Sequence, residues 1–195
     1  MDDVKLEEVL EEPVEKEYPN PLEELKLATS IDYGDYWNRK KELLEKGYKW
    51  FLKRVSKWNS YKRIPEYCGK NFTLYFSDNQ TFKFDNTIIK FTNPLFHGIE
   101  FSRVGWVTGF TIEAEGTKLL YSSDINGPII EDYAKWIINE KPDIILLDGP
   151  ATYTLGYMLN NINLKRAIQN IINIITEAKP KLLILDHHLL REPKY

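Results

Sequence analysis

The chain has 195 residues, 43% of them hydrophobic and 13% aromatic, which is enough apolar side chain for a sizeable core and too much for a disordered chain. A formal net charge of −3 points to no particular partner, while the single cysteine, Cys68, excludes an intramolecular disulfide and a cysteine-rich zinc knuckle. No apolar run is long enough to span a bilayer, and the acidic start MDDVKLEEVLEEPVEKEYPNP lacks the basic-then-apolar order of a secretion signal, so the expectation is a cytoplasmic protein with no membrane partner.

Residues 1–27 hold ten Asp and Glu against three Lys, and Pro13, Pro19 and Pro21 punctuate them; the first twenty are expected to be loosely ordered. A short helix is expected over 21–28. From 37 to 59 the apolar residues Leu44, Tyr48, Phe51, Leu52, Val55 and Trp58 recur at three- and four-residue steps, which predicts one amphipathic helix. Residues 37–66 hold ten Lys and Arg against three Glu. Aromatics interleaved with cations suit a nucleic-acid surface, but most of these aromatics fall on the apolar stripe. A solvated basic face is therefore favoured over nucleic-acid binding.

After Pro65 the rhythm changes. FTLYFS (72–77), TFKF (81–84) and NTIIKFT (86–92) are short, β-branched and aromatic, and predict strands. VGWVTGFTIEAE (104–115) and GTKLLYSS (116–123) predict a hairpin turning near Gly116. Helices are expected over 129–140 and 163–178, the second with an apolar stripe of Leu164, Ile168, Ile171, Ile172 and Ile175. DIILL (143–147) and KLLIL (181–185) are continuously apolar, as strands buried on both faces between helical layers are. Strand, helix, strand, helix, strand is an α/β arrangement. The expected division is an N-terminal segment, 1–66, and an α/β part, 67–195.

Three segments end a strand in the same way. YSSDINGP delivers Asp124, ILLDGP delivers Asp148, and LLILDHH delivers Asp186, His187 and His188; IKFTNPLFHG places His97 in a turn after a strand. An aspartate directly after a buried strand is costly unless it is paired, hydrogen-bonded or bound to metal. Singly, each has an ordinary explanation: Asp124 as a helix cap, Asp148 as a turn former, His97 as a loop histidine. Together, carboxylate and imidazole at one sheet rim suit a divalent metal such as zinc, iron or manganese, and the site is favoured for the set.

FKFDNTIIKFTNPLFHG, YSSDINGPI, KPDIILLDGPATYTLGY and LILDHHLLREPKY, in this order and spacing across residues 81–195, resemble the second half of an uncharacterised, mainly archaeal branch of the metallo-β-lactamase superfamily. The resemblance implies an αββα four-layer sandwich with a metal site along one edge. It implies His97, Asp124 and one of His187 and His188 as metal ligands, His187 in preference, with zinc the first choice of metal. Asp124 would be the bridging carboxylate and Asp148 a carboxylate that orients a histidine or a water, so these two are the candidate catalytic residues. The family's main motif, His-X-His-X-Asp-His, has no counterpart in this chain. The expectation is therefore part of a metal-dependent hydrolase of ester, phosphoester or amide bonds. A partner chain carrying the first motif would complete it, and the uncovered sheet face predicts association with that partner or with a second copy. The alternative is a non-catalytic remnant or scaffold subunit.

Overall fold

The computed structural model describes residues 9–193. They form two compact units: one of the described residues up to Asn20 with Asp35–Phe76, the other of Pro21–Gly34 with everything described from Ser77 on. This division differs from the one expected at 66/67, for a physical reason. The short helix α1 (Lys26–Ser30) offers its free amides to a residue of the later unit. Leu27 N–H and Ala28 N–H donate to the two oxygens of Asp132 at 3.0 and 2.8 Å, and the Tyr33 hydroxyl donates to Glu131 at 3.0 Å. Residues 21–34 thus belong to the α/β unit.

In the other unit, α2 (Tyr36–Trp58) is the amphipathic helix that the spacing predicts. Phe51 is buried, and Leu44, Tyr48, Val55 and Trp58 are half-buried; Leu52 lies off the stripe and is exposed. Residues 9–20 are less loose than their composition suggests: Glu11 and Arg63 exchange two backbone hydrogen bonds of 2.9 Å. Residues 1–8 lie outside the described residues. Two short strands follow, β1 (Tyr67–Cys68) and β2 (Thr73–Leu74), paired antiparallel. The strand expected over 72–77 is thus only two residues long.

The α/β unit runs β3 (Thr81–Phe84), β4 (Thr87–Phe91), β5 (Leu95–Phe96), β6 (Trp106–Val107), β7 (Phe110–Ala114), β8 (Thr117–Tyr121), α3 (Glu131–Glu140), β9 (Ile144–Asp148), α4 (Asn161–Asn173), β10 (Leu182–Asp186) and α5 (His187–Leu190). Six strands make one mixed sheet in the order β10-β9-β8-β7-β4-β3, and β5 pairs with β6 apart from it. The β7–β8 hairpin turns through Glu115 and Gly116, both at positive φ (50° and 73°), the backbone that a two-residue turn between twisted strands requires. Strands β8, β9 and β10 run parallel, joined by α3 and α4 as crossovers.

Both crossover helices lie on one face of the sheet. Lys90 and Lys118 point to that face and pair with Glu140 of α3 at 2.6 and 3.5 Å. Leu120, Ile145 and Leu147 share it and are wholly buried. The opposite face carries Phe82, Phe91, Phe110 and Tyr121, whose ring centroids follow one another at 5.9, 5.5 and 5.4 Å, and then Leu146 and Ile184. These side chains are half-buried or exposed, with Leu182 and Ile184 of β10 at 49% and 43%. The expectation that β9 and β10 are buried on both faces is therefore corrected. Helices cover one side, and the apolar residues of the other side are not fully enclosed.

The face of α4 is also corrected. Ile168, Ile172 and Ile175 are exposed, while Asn163, Arg166, Ala167, Asn170 and Ile174 are buried. Polar residues occupy the inner face because they have partners there. Arg166 bonds Glu131 at 2.8 and 2.9 Å and Glu100 at 3.2 Å, and Asn170 donates to the Pro128 carbonyl at 2.6 Å. The helix continues past Asn173 through a wider turn, Ile174–Ala178. The architecture is mixed α/β, one six-stranded sheet with helices. Among the described residues no helix is long and apolar enough to cross a membrane.

Candidate metal centre

Because β8, β9 and β10 are parallel, whatever follows their C-terminal ends gathers at one rim. Asp148 is the last residue of β9 and stands in register with Asp186, the last of β10. Asp186 caps the next turn by accepting from His187 N–H at 2.7 Å, so the chain bends at once into α5 and both histidines fall in its first turn. Asp124 follows β8 in a tight loop where Ser123, Asn126 and Gly127 all have positive φ (59°, 57° and 69°). Gly127 is required there twice over, since a Cβ would also meet the Pro150 backbone at 3.1 Å. His97 follows β5, and the Phe96 N–H beside it donates to the buried Tyr133 hydroxyl at 2.7 Å.

The five side chains singled out from the sequence come together. The Asp124 carboxylate lies between two imidazoles: His97 Nε2 is 3.6 Å from its Oδ2 and His187 Nε2 is 3.3 Å from its Oδ1. The rings of His187 and His188 are 4.3 Å apart, and those of His97 and His188 5.8 Å apart. Below them Asp148 is wholly buried and holds His188 Nδ1 at 2.7 Å. It also accepts the Asn126 N–H at 2.6 Å, while its own N–H donates to Ser122 Oγ at 2.9 Å. His188 is 5% exposed, whereas Asp124 and His187 stand at the open side with about a third of their side chains exposed.

A pattern runs through the three imidazoles. Each has a polar neighbour at Nδ1: Asp148 for His188, Asp186 Oδ2 at 3.3 Å for His187, and the Asn126 amide at 3.4 Å for His97. A partner at Nδ1 fixes the ring and leaves Nε2 for whatever lies in front. Burial pushes the Asp148 carboxyl above its ordinary value, against the pull of the His188 hydrogen bond and charge and the Asn126 N–H. Burial first, then the charges of Asp124, Asp186 and Asp148, raises the Tyr121 phenol at the end of β8.

The donor set fits a first-row divalent ion. Asp148, His187 and His188 can each turn one ligand atom to a common point, those atoms lying within 4.8 Å of one another. His97, Asp124 and His187 form a second, more open set sharing His187. Among the described residues Asp148, His187 and His188 are the group whose ligand atoms converge. Both Asp148 oxygens already accept hydrogen bonds in a dry setting, which suits an orienting carboxylate, while Asp124 and two Nε2 atoms face outward. Sequence reasoning missed Asn126 and Ser122. Asn126 precedes a glycine and reads as turn chemistry alone; its link to His97 arises from folding.

Comparison with curated proteins finds UPF0282 proteins of archaea. Those of Methanopyrus kandleri and Methanocaldococcus jannaschii are 37% and 39% identical over 120 and 122 residues, covering 62% and 63% of this chain and 40% and 41% of their own lengths. That of Saccharolobus solfataricus is 30% identical over 145 residues, 72% of this chain and 46% of its own length. No family profile and no solved structure matches. The relatives are therefore archaeal UPF0282 proteins, and this chain spans about two-fifths of the length of those it matches.

Proposed function

We propose that this chain carries part of the metal centre of a metallo-β-lactamase-type hydrolase. The observation that carries the proposal is the Asp124 carboxylate between the Nε2 atoms of His97 and His187, at 3.6 and 3.3 Å, with polar groups at Nδ1 of both rings. His97, Asp124 and His187 hold the ion, zinc by preference and iron or manganese by the same donor chemistry. A divalent ion held there supplies Lewis acidity and lowers the pKa of a coordinated water. The chain's own groups do the rest. Asp148 keeps the His188 Nδ1 proton in place and so turns its Nε2 outward, and His188 backs the His187 ring. Asp124 presents its carboxylate at the open side, with about a third of its side chain exposed.

The substrate class is an ester, phosphoester or amide. The His-X-His-X-Asp-His motif is not present in this sequence, and a partner carrying it would supply the remaining ligands. The incompletely enclosed sheet face opposite α3 and α4 supports a sandwich closed by a sheet of that partner. The free, exposed Cys68 fits a reducing compartment, the cytoplasm.

The test is metal analysis of the purified chain after dialysis, alone and co-expressed with a partner carrying the first motif, with hydrolysis of activated esters and phosphodiesters as a second readout. The chain alone is expected to hold less than one equivalent of zinc, because few ligands in an open site give weak binding, and to lose it in His97→Ala and Asp124→Ala. Zinc content unchanged by these substitutions would refute the site. Metal without turnover in the completed complex would favour the scaffold reading.

A further inference from the structure

Resting on that metal reading, we infer that Arg166 is a positioning residue of the centre, acting through Glu100 to set His97 against Asp124. The six-stranded sheet delivers Asp124 and His187 to the rim, but it does not deliver His97, which follows β5; β5 and β6 make a two-stranded sheet of their own. The turn between them is closed by its own hydrogen bonds. His97 N–H donates to the Gly105 carbonyl and Ser102 N–H to the Ile99 carbonyl, both at 3.1 Å. Such bonds fix the shape of the turn and leave its place to be set from outside. Glu100, in the middle of the turn, is where α4 takes hold of it.

Two observations carry the inference. The first is the reach of one guanidinium. Arg166 Nη2 donates to Glu100 at 3.2 Å, while Nε and Nη2 donate to the two oxygens of Glu131 at 2.9 and 2.8 Å. Glu131 opens α3 directly after the Asp124 loop, so a single planar group holds the His97 turn and the Asp124 loop at once. Arg166 is itself fixed: Nη1 donates to Asn163 Oδ1 at 3.1 Å, and the guanidinium lies 4.8 Å from the Tyr33 ring centroid. The Arg166 and Glu100 side chains are 7% and 6% exposed, so water and salt screen the pair little, and the rigid fork gives it a direction. The second observation is strain in the same turn. Phe101, beside Glu100, has a left-handed backbone at φ 55°, which a bulky residue adopts only where its surroundings impose it. Its ring is buried and packs on Phe96 at 5.1 Å, which pins one side of the residue; the Arg166–Glu100 pair pins the other. With Glu100 released, the turn relaxes toward ordinary backbone, and His97 Nε2 leaves its place 3.6 Å from Asp124 Oδ2.

The test compares the full chain with Glu100→Ala and Glu100→Gln, both of which leave Arg166 paired with Glu131. Amide hydrogen exchange and 15N-histidine NMR are read without metal, and zinc affinity by chelator competition. Glu100→Ala is expected to speed exchange across residues 97–105 and shift the His97 ring signals, while exchange in β7 and β9 stays as in wild type. Its zinc affinity is expected to fall about 3- to 10-fold, short of the about 10- to 100-fold that follows loss of a ligand's own partner. Glu100→Gln keeps an oxygen for Arg166 and is expected to behave as wild type in all three readouts. Zinc affinity in Glu100→Ala equal to that of wild type would overturn the inference. Faster exchange spread equally over β7 and β9 would overturn it too, since that marks a general loss of stability. If wild type takes up no zinc, the metal reading falls, and the metal-free readouts decide the role of Arg166: a 97–105 turn and a His97 ring unaltered in Glu100→Ala would overturn it.

Discussion

Replacing Asp148 with asparagine removes a charge and one acceptor while keeping the shape of the side chain. The site is unforgiving, since Asp148 is wholly buried and takes hydrogen bonds from Asn126 N–H at 2.6 Å and from His188 Nδ1 at 2.7 Å. An amide has one oxygen for these two donors. If the oxygen stays with Asn126, the NH2 faces His188 Nδ1, and His188 must move its proton to Nε2. His188 backs the His187 ring and is not one of the three ligands, so zinc affinity should fall by less than the about 10- to 100-fold, or about 1.4–2.8 kcal/mol, that follows loss of a ligating histidine's own partner. Stability should change less. The charge-assisted bond lost is worth about 1.5–3 kcal/mol, but burial already disfavours the charged carboxyl, and relief of that cost offsets much of it. The net loss is expected to be about 1 kcal/mol. Chelator competition reads the first effect and urea denaturation the second. Zinc affinity equal to wild type would refute the orienting role. A stability loss beyond about 3 kcal/mol would show instead that Asp148 and His188 act as a buried ion pair.

The same carboxyl sets a pH dependence. Its folded pKa is raised above the unfolded value near 3.8, so between the two the folded chain binds the extra proton, and stability falls as pH rises through that window and then levels. Urea midpoints from about pH 4 to about pH 7 should show this in wild type and not in Asp148→Asn. Arg166→Met should cost about 3–5 kcal/mol by urea denaturation, because it removes the cation shared by two carboxylates, Glu100 and Glu131, whose side chains are 6% and 13% exposed; adding Glu100→Gln and Glu131→Gln should recover much of the loss. Gly149→Ala should remove zinc binding with a stability cost of about 1–3 kcal/mol, since its Cβ would lie 2.5 Å from Leu189 Cβ and push away the turn that carries both histidines.

The strand-end aspartates were legible because a charge closing an apolar run has few uses, and parallel strands carry such residues to one rim whatever the details of the sheet. The 37–59 helix was legible for the same kind of reason, a single period repeated over many turns. Helix α4 was not read correctly on its face, although its position was. Counting apolar residues selected Leu164, Ile168, Ile171, Ile172 and Ile175, of which Ile168, Ile172 and Ile175 are exposed, while the fold buries Arg166 and Asn170, whose partners Glu100, Glu131 and the Pro128 carbonyl lie 35 or more residues away in sequence. No local pattern announces such partners. The continuous apolar runs of β9 and β10 likewise told of burial on one face and left the other undetermined. Asn126 was invisible because its meaning depends on His97, brought to it by a different loop.

Among the described residues strand β10 stands at one edge of the sheet, and it carries Asp186 with His187 and His188 directly beyond it. His97 and Asp124 hang on other elements. The centre therefore joins an edge strand to the interior of the unit, and edge elements open at less free energy than the whole fold. A ligand bound only in the closed form opposes that opening by about 2.7 kcal/mol at a hundredfold excess over its dissociation constant. An ion seated between Asp124 and His187 would work as a clasp on the strand. Amide hydrogen exchange across Leu182–Asp186 would slow on loading by about a hundredfold, while β7, paired on both sides, would keep its own pace.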